Sequence, residues 1–455
     1  MNPFYIETYG CQMNVSDSEV VARVLTDNGY LLCSQIEEAN IILINTCSVR
    51  ENAEKRVMNR LDHFGRVKKK NPLLKVGVLG CMATRLKEEL LNHPAVDWVA
   101  GPDSYRFLPA MLGSSATAPI HVDLSLSETY EDIKPYRGPE PGITSFVTIM
   151  RGCDNMCAYC IVPYVRGRER SRDPKSIEAE VKDLVESGFK EVTLLGQNVN
   201  SYRWDPMATQ PSGVSADVAK PLPQAEPATV SFADLLDRVA RISPGLRIRF
   251  TTSHPKDMQD DVLHVMARHP NICKHIHLPV QSGSNNILRK MNRGYTREQY
   301  LDRINNIRTL LPQCGISTDL ITGFCSETEE DHKQTLSLMK EIRFDQAFMF
   351  HYSQRPNTQA WRHYADNVPG TVKIRRLKEI IALQNKHALE SNRAEIGCVH
   401  EVLVEGVSKR SAEEYFGRTD TGKVCVFPKK NSVPGEFVNV GVTSCTGATL
   451  KGEIT

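Results

Sequence analysis

Short apolar runs alternate with amphipathic segments in the first third of the chain, which is the pattern of a parallel α/β unit. The expected strands are 4–9, 41–45 and 75–79, and the expected helices are 17–27 and 48–67. Asn28-Gly29 is a typical stop signal for the first of these helices. A polar run over 113–142 then predicts a connection to a second domain, and we place the first domain at residues 1–125.

The middle of the chain repeats a strand followed by a helix about six times, which predicts an open or partial (β/α)6 barrel over residues 139–375. Its expected strands are 146–150, 191–195, 246–251, 275–279, 315–321 and 346–350. Residues 203–230 interrupt this pattern with many Pro, Ala, Ser and Gln residues. We expect them to form a mobile surface insertion.

The pattern changes after a long helical segment over 372–391 to short alternating strands separated by Gly, Asn and Pro. Expected strands lie at 400–404, 424–427 and 437–442. A chain end of this kind, over 390–455, predicts a small OB-like β-barrel. The fold class is therefore α/β, with a parallel α/β domain, a partial barrel and a small β-barrel in that order.

Composition narrows the possible partners and the compartment. The 455 residues exceed what one core usually organises, and a net charge of +2 means that any affinity for nucleic acid must be regional. No apolar run approaches a membrane span and the N-terminus lacks a leader pattern, so we expect a cytosolic chain without a membrane partner. Thirteen cysteines in a reducing compartment favour metal binding over disulfides.

Three of these cysteines, Cys153, Cys157 and Cys160, form a C-x3-C-x2-C run directly after the first expected barrel strand. Three thiolates in one tight loop can hold three irons of a 4Fe-4S cubane and leave the fourth iron open to a small molecule. The alternative is a structural zinc loop, which normally needs a fourth ligand nearby. No suitably spaced fourth ligand is visible in the sequence.

A second set of cysteines is dispersed along the chain. Cys11, Cys47 and Cys81 each follow one of the three expected strands of the first domain. Because the carboxyl ends of parallel strands share one edge of a sheet, these cysteines can converge in space. The alternative is three unrelated buried cysteines, since free cysteine is often simply buried.

The Cys153 loop at the end of a first barrel strand resembles the signature of the radical S-adenosylmethionine enzymes, and this resemblance covers about 142–375. Gly10-Cys-Gln-Met-Asn14, Asn45-Thr-Cys-Ser48 and Gly80-Cys-Met82 resemble the first domain of the methylthiotransferases. The resemblance implies that Cys11, Cys47 and Cys81 hold a second 4Fe-4S cluster with one free iron, which provides sulfur. It also implies that the first cluster cleaves S-adenosylmethionine to a 5'-deoxyadenosyl radical. The other seven cysteines are expected to be non-ligands.

Polar residues that follow the expected barrel strands resemble the surroundings of S-adenosylmethionine in this family. The candidates are Tyr159, Gln197, Asn198, Ser253, Gln281, Ser282 and Asp319. For each of them, packing or a turn-capping role is the alternative. His254 is expected to be a structural histidine, because the removal of a hydrogen atom needs no general base.

Two features suggest where RNA binds. Arg166, Arg168, Arg170 and Arg172 follow the cluster loop and can pair with phosphates, the alternative being a salt-bridged surface stretch. The last domain resembles a TRAM domain, a barrel associated with RNA. However, from residue 393 onward it carries eight basic and eight acidic residues, so only a local patch could attract RNA.

The resemblance implies that the enzyme adds a methylthio group to carbon 2 of N6-dimethylallyladenosine at position 37 of tRNA. The expected cofactors are two 4Fe-4S clusters and S-adenosylmethionine. The expected partners are the tRNA anticodon loop, an external electron donor and a sulfur source, and we expect a monomer. Relatives acting on threonylcarbamoyl-adenosine or on a ribosomal aspartate are alternatives, although Gln12-Met-Asn14 favours the dimethylallyl substrate. An iron-sulfur protein without catalysis is a further alternative.

Overall fold

The computed structural model describes residues 2–48, 51–113, 118–138, 142–207 and 229–455, with only the backbone at 51–53. Within these ranges, no helix is both long enough and apolar enough to cross a membrane.

The first domain contains a six-stranded sheet in the order β2-β1-β3-β4-β5-β6, and every neighbouring pair is parallel. Apolar side chains cover both faces of this sheet, in two separate clusters. The expected parallel α/β unit is confirmed. Its strands are β1 (Pro3–Tyr9), β2 (Leu31–Leu32), β3 (Ile41–Thr46), β4 (Lys75–Gly80), β5 (Trp98–Ala100) and β6 (Ile120–His121), and its helices are α1 (Gln12–Asp27), α2 (Glu51–Lys70), α3 (Cys81–Leu86), α4 (Glu88–Leu91) and α5 (Leu108–Gly113).

The described part of the expected connection packs against the first domain. Tyr130 is buried, stacks on Tyr105 at 5.7 Å between ring centroids, and donates a hydrogen bond to the Pro102 carbonyl. Residues 114–117 and 139–141 of the connection lie outside the described residues. The 118–138 stretch thus extends the core of the first domain.

The middle domain holds six parallel strands in two three-stranded sheets, β13-β10-β7 and β14-β15-β16. A parallel bridge between Ile248 and Ile272 links the two sheets, so the strands form the expected partial barrel. Its strands and short ribbons are β7 (Thr144–Thr148), β8 (Met150–Arg151), β9 (Arg170–Ser171), β10 (Glu191–Leu195), β11 (Arg203–Trp204), β12 (Val230–Ser231), β13 (Arg247–Thr251), β14 (His275–His277), β15 (Gly315–Thr322) and β16 (Gln346–His351).

The helices of this domain are α6 (Val162–Arg166), α7 (Pro174–Glu186), α8 (Phe232–Ala240), α9 (Asp260–Arg268), α10 (Asn285–Lys290), α11 (Arg297–Leu310), α12 (Glu329–Ile342) and α13 (Gln359–His363), followed by the long α14 (Gly370–Arg393). One large apolar cluster joins most of these helices to the barrel strands, whereas α6, α10 and α13 belong to two smaller clusters. Of the expected insertion 203–230, residues 208–228 lie outside the described residues. Its two ends pair as the antiparallel ribbon β11-β12.

The last domain is a closed five-stranded barrel in the order β17-β18-β19-β21-β20, as expected. Its strands are β17 (Val399–Val407), β18 (Glu414–Arg418), β19 (Val424–Pro428), β20 (Phe437–Cys445) and β21 (Leu450–Ile454). A turn of this domain meets the end of the partial barrel where its strands begin. There Arg249 donates to the carbonyls of Thr419 and Asp420, and Arg247 donates to that of Arg418. The opposite end, where the strands finish, faces the first domain.

Candidate active site

The three dispersed cysteines lie at one edge of the first sheet. Cys11, Cys47 and Cys81 follow β1, β3 and β4, which are neighbours in the sheet. Hereafter they are the first trio. Gly80 precedes Cys81 with φ of +87°, and a Cβ there would collide with Asn45 Oδ1. A glycine is therefore required where the chain turns from strand to cysteine.

The polar residues of the matched motifs hold this edge together. Cys11 precedes α1, and its backbone N and Sγ both donate to Asn14 Oδ1 at 3.4 and 3.3 Å. Asn14 Nδ2 donates to Asn45 Oδ1 at 3.1 Å, and Asn45 Nδ2 donates back to the Asn14 carbonyl at 3.0 Å. This pair joins the loop after β1 to the end of β3. It also explains why α1 begins at Gln12, earlier than expected from apolar spacing.

The thiols of the first trio differ in their electrostatic surroundings. A hydrogen bond with the Cys47 thiol lowers the pKa of Cys11 to about 6, against the opposing effect of burial, and the Arg166 charge adds to the lowering. Burial raises the pKa of the Cys81 thiol, and the same Arg166 charge opposes that rise. The structure therefore brings the three thiols into mutual electrostatic contact beside one arginine.

The loop with Cys153, Cys157 and Cys160, hereafter the second trio, lies at the strand-ending face of the partial barrel. Gly152 has φ of +77°, and a Cβ there would collide with the Arg168 carbonyl, so the loop turns at a glycine. Ala158 N donates to the Met291 carbonyl at 2.8 Å, and Ala360 N donates to the Ala158 carbonyl at 2.7 Å. These bonds connect the loop to the segments after α10 and at the start of α13.

Burial is the largest influence on the pKa values of two thiols of the second trio, Cys153 and Cys160. It raises the pKa of Cys153 to about 11 and that of Cys160 to about 12, with the Cys157 thiol adding to both. Arg293, which is buried, donates from Nη1 to Cys157 Sγ at 3.1 Å. His254 Nε2 lies 3.9 Å from the same sulfur. Metal binding to such thiols displaces their protons.

No group of three or more His, Cys, Asp or Glu side chains within the described ranges is arranged around a single metal ion. The ligands of a structural zinc loop must all meet one ion. A cubane instead presents a different iron to each thiolate, so its ligands do not converge on one point. Two trios of thiols fit that donor requirement.

A buried ion-pair network joins the two trios. Asp17 accepts from both terminal nitrogens of Arg151 at 2.9 and 2.7 Å and from Arg166 Nη2 at 2.7 Å. Arg166 Nε donates to Cys81 Sγ at 3.1 Å, and Arg151 lies two residues before Cys153. The side chains of Asp17, Arg151 and Arg166 are 4% exposed or less. The N-terminal domain is thus docked on the barrel by charges from both.

The predicted arginine run requires a correction. Arg166, Arg170 and Arg172 are buried, and their partners are Asp17, Asp103 and Glu180 respectively. Their charges are neutralised inside the protein, so they form structural ion pairs and no exposed phosphate-binding face. Arg168 alone of the four projects outward, with a side chain 69% exposed and Nε 3.0 Å from Asp154. Its contact with RNA stays a prediction.

The residues predicted to surround S-adenosylmethionine lie on the loops after the barrel strands. Gln197 Oε1, Asn198 Oδ1 and Ser253 Oγ are buried without a hydrogen-bond partner. Because buried polar atoms are normally satisfied, this end of the barrel fits a polar ligand. The amide nitrogen of the same side chain, Asn198 Nδ2, donates to Asp257 Oδ2 at 2.7 Å. Asp257 was missed by the sequence analysis, and its only signal was its position after a barrel strand.

The other predicted members are held in different ways. Tyr159 is half-buried, with its hydroxyl 3.4 Å from Arg293 Nη1. Gln281 is buried with φ of +70° and bridges to Leu320, and buried Ser282 Oγ lies 3.3 Å from Thr335 Oγ1. For Ser282 the contacts are those of a structural residue.

Asp319 and His277 face each other inside the barrel. Asp319 lies on β15 with Oδ1 3.5 Å from His277 Nε2.

His254 is buried, and burial, followed by the nearby Arg293 charge, lowers its pKa to about 2, so its ring is neutral. A neutral packed histidine agrees with its predicted structural role.

Comparison with known proteins places these observations in a class. The chain matches the uncharacterized protein family UPF0004 over residues 3–101, the radical SAM superfamily over 147–339 and the TRAM domain over 393–455. Solved structures share the fold at low identity. The radical S-adenosylmethionine methyltransferase TsrM from Kitasatospora setae aligns with a TM-score of 0.55 and 11% identity, over 79% of this chain and 75% of that one. The domain match therefore makes the chain a radical SAM enzyme, a class that implies an iron-sulfur cluster and S-adenosylmethionine.

Curated relatives resolve the family within that class. A tRNA-2-methylthio-N(6)-dimethylallyladenosine synthase of Bacteroides thetaiotaomicron is 56% identical over 99% of this chain and 95% of its own length. The enzymes of the same name from Porphyromonas gingivalis and Amoebophilus asiaticus are 53% and 52% identical, over 99% of this chain and 94% and 92% of theirs. The chain belongs to the tRNA-2-methylthio-N(6)-dimethylallyladenosine synthase family, and it is a transferase of the radical SAM type.

Proposed function

We propose that the protein adds a methylthio group to carbon 2 of N6-dimethylallyladenosine at position 37 of tRNA. The observation that carries this proposal is the presence of two separate cysteine trios, joined through Asp17, in a chain 56% identical to an enzyme of that name. One trio belongs to the radical SAM domain, and the other belongs to a domain that lies outside it.

In this proposal Cys153, Cys157 and Cys160 hold one 4Fe-4S cluster and Cys11, Cys47 and Cys81 hold a second. When bound, the clusters and S-adenosylmethionine supply the hydrogen-abstracting radical and the sulfur and methyl of the new group. The chain's own part is to orient them. Arg293 and Arg166 each donate one hydrogen bond to a thiol, at Cys157 and Cys81 respectively.

The polar end of the barrel is the proposed S-adenosylmethionine site. The unpartnered oxygens of Gln197, Asn198 and Ser253 offer hydrogen-bond acceptors and, from the serine, a donor. Tyr159, Gln281, Ser282 and Asp319 are retained as further candidates. Asp319 is the acidic member of this set, and its carboxylate lies inside the barrel and is 30% exposed.

The open side of the barrel is the proposed entrance for the adenosine. Phe348 and Phe350 lie on β16, an edge strand, and are 49% and 40% exposed. Phe348 pairs with Asp319 across the sheet and meets the His277 ring at 5.7 Å, so it borders the interior. Exposed aromatic faces of this kind stack on an unpaired base, which is how single-stranded RNA is commonly recognised.

The first domain extends across this opening. Ser16 Oγ on α1 lies 2.8 Å from Thr148 Oγ1 on β7, one edge of the barrel. Glu54 on α2 pairs at 3.6 Å with Arg355, which follows the other edge strand, β16. A cover of this kind excludes water and protects a radical from side reactions.

The proposal includes two partners besides the tRNA anticodon loop. An external one-electron donor has to reduce the cluster that cleaves S-adenosylmethionine. A sulfur source has to replace the sulfur that leaves with each product. A monomer is the proposed working unit, since one chain contains all six cysteines of the two trios.

Anaerobic reconstitution tests the proposal. The wild-type chain is loaded with iron and sulfide, then supplied with dimethylallylated tRNA, S-adenosylmethionine and a reductant. We expect two four-iron clusters per chain, 5'-deoxyadenosine, and the 2-methylthio nucleoside by liquid chromatography and mass spectrometry. Cys81→Ala should abolish the methylthio product and retain 5'-deoxyadenosine, whereas Cys157→Ala should abolish both. Cys398→Ala is the matched control, since Cys398 is exposed and outside both trios.

Two results would contradict the proposal. A wild-type chain that carries one cluster after full loading has no second site for sulfur. An unmodified dimethylallyl nucleoside, with conversion of a threonylcarbamoyl-adenosine tRNA in its place, would move the protein to a different substrate.

A further inference from the structure

Arg166 lies between the two trios and uses only part of its hydrogen-bonding capacity. It ends α6, is 3% exposed, and donates from Nε to Cys81 Sγ and from Nη2 to Asp17. Its third nitrogen, Nη1, is buried and has no partner. Among the described arginines, Arg166 is the only one with a buried and unpartnered terminal nitrogen.

Arg293 offers an internal comparison, because it makes the same kind of contact in the second trio. Its Nη1 donates to Cys157 Sγ at 3.1 Å, its Nε donates to the Tyr295 hydroxyl at 3.0 Å, and its Nη2 donates to the Pro279 carbonyl at 2.7 Å. Every nitrogen of Arg293 is therefore occupied. A guanidinium carries five N–H groups, and those of a buried one are normally satisfied. Arg166 departs from that rule at the first trio.

The surroundings of Arg166 favour a small anion. Its positive charge acts on both the Cys81 and the Cys11 thiols. Cys11 also stands at the start of the 16-residue helix α1, whose N-terminal backbone dipoles favour negative charge. The apolar neighbours Ile161, Val165 and Tyr164 pack against Cys81 and leave little room for a large ligand. The free nitrogen thus points to a compact anionic group bound next to the trio.

We propose that Arg166 is a positioning residue whose Nη1 donates hydrogen bonds to a small sulfur anion, hydrosulfide or methanethiolate, bound beside Cys11, Cys47 and Cys81. This inference rests on the proposed function, which places a sulfur-supplying cluster at the first trio. Nε and Nη2 hold the guanidinium between Cys81 and Asp17, so Nη1 has a set direction.

The test compares three full-length chains: wild type, Arg166→Lys and the control Arg170→Lys. Lysine keeps the charge, but it is a single-point donor and cannot reach Cys81, Asp17 and a ligand together. Arg170 is equally buried, pairs with Asp103 and donates from Nη2 to the Arg166 carbonyl at 3.1 Å, but it donates to no cysteine, so it controls for a shift of the Arg166 backbone. Each chain is reconstituted anaerobically and saturated with S-adenosylmethionine, which occupies the open iron at the second trio.

Sodium methanethiolate is then titrated, and its binding is followed by electron paramagnetic resonance of the reduced first-trio cluster. We expect Arg166→Lys to weaken the apparent affinity by about tenfold or more, since hydrogen bonds to charged groups are among the stronger ones. Arg170→Lys should bind like wild type. Equal affinity in wild type and Arg166→Lys would overturn the inference, as would equal weakening in both variants.

A measurement on wild type covers the case in which Arg166→Lys loses its cluster. With arginine labelled by nitrogen-15 in the guanidinium, pulsed electron-nuclear double resonance should detect an exchangeable-proton coupling and a nitrogen-15 coupling that appear only when methanethiolate is added, beyond those expected from Arg166 Nε at Cys81 and Arg293 Nη1 at Cys157. Their absence refutes the role of Arg166. A wild-type chain with two clusters and no such coupling rejects this inference alone, whereas a chain with one cluster rejects the proposed function as well.

Discussion

Asn substitution of Asp17 removes a carboxylate of the first domain that pairs with two arginines of the barrel domain. The wild-type side chain is 1% exposed and accepts three charge-assisted hydrogen bonds of 2.7 to 2.9 Å from Arg151 and Arg166. Asparagine has the same shape but leaves Arg166 buried without a carboxylate partner, and it leaves Arg151 with only the longer 3.9 Å contact from Nε to Asp103. Breaking a buried ion pair in this way costs about 3–5 kcal/mol.

That cost falls on the docking of the first domain, because Asp17 belongs to α1 and both arginines belong to the barrel domain. At about 1.4 kcal/mol per tenfold change, 3–5 kcal/mol raises the population of the undocked state by roughly two to three orders of magnitude. Hydrogen exchange suits this question, since unfolding of a three-domain chain is not a single two-state event. Amides of α6 and of the β8-β9 ribbon should exchange faster in Asp17→Asn by about that factor.

The matched control is Asp132→Asn. Asp132 pairs with Arg106 at the surface, with side chains 65% and 39% exposed, and such pairs contribute about 0.2–1 kcal/mol. Exchange in α6 should be unchanged in this control. Asp17→Asn should also lose the methylthio product while it still forms 5'-deoxyadenosine, because the second trio is untouched. Wild-type exchange rates in α6 of Asp17→Asn would refute the view that this network docks the domains.

Three other changes test separate parts of the structure. Phe348→Ala should lower kcat/KM for tRNA by about 5- to 100-fold, because the stacking of a base on an aromatic ring contributes about 1–3 kcal/mol. The formation of 5'-deoxyadenosine without tRNA should be unchanged. An unaltered kcat/KM would contradict the proposed entrance for the adenosine. Ser326 has φ of +59°, and glycine would relieve about 1 kcal/mol of backbone strain there, while it removes the hydrogen bond from Asn367 Nδ2 to Ser326 Oγ. The two effects offset each other, so Ser326→Gly should leave the denaturant midpoint of the barrel domain unchanged, and a clear fall would contradict backbone strain at this position. The hydrogen bond from His400, and then Lys423, lowers the pKa of Glu395 from 4.5 to about 2. The ionised Glu395 therefore stabilises the fold above about pH 4.5, and this stabilisation is lost as the pH falls toward 2. Acid titration of the cluster-free chain should show less pH dependence of stability for Glu395→Gln than for wild type or for the exposed-site control Glu453→Gln. Identical titration curves would contradict the role of Glu395.

Much of the architecture followed from local patterns in the sequence. Apolar runs of five to seven residues predicted β1, β3, β4 and the six barrel strands, because a buried strand needs an apolar side chain at nearly every position. The cysteines of the second trio were recognisable from spacing alone. Those of the first trio were candidates because each follows a strand and parallel strands end at the same edge, and the resemblance to the methylthiotransferases then singled them out.

Other features depended on which distant residues meet. The arginine run looked like a surface patch, since four positive charges in seven positions usually face solvent. Asp17 lies 149 positions from Arg166, and Asp103 lies 67 positions from Arg170, so no local pattern could assign these partners. Phe348 and Phe350 likewise resemble core residues in sequence and are partly exposed only because β16 is an edge strand.

The sequence by itself determined the elements, the two trios and the three-domain order, because each depends on periodicity or on spacing over short distances. Only the tertiary structure decided which charges are buried against each other, which aromatic rings stay open and which arginine nitrogen lacks a partner. These outcomes depend on the docking of one domain on another, and docking is set by complementary surfaces whose residues are far apart in the chain.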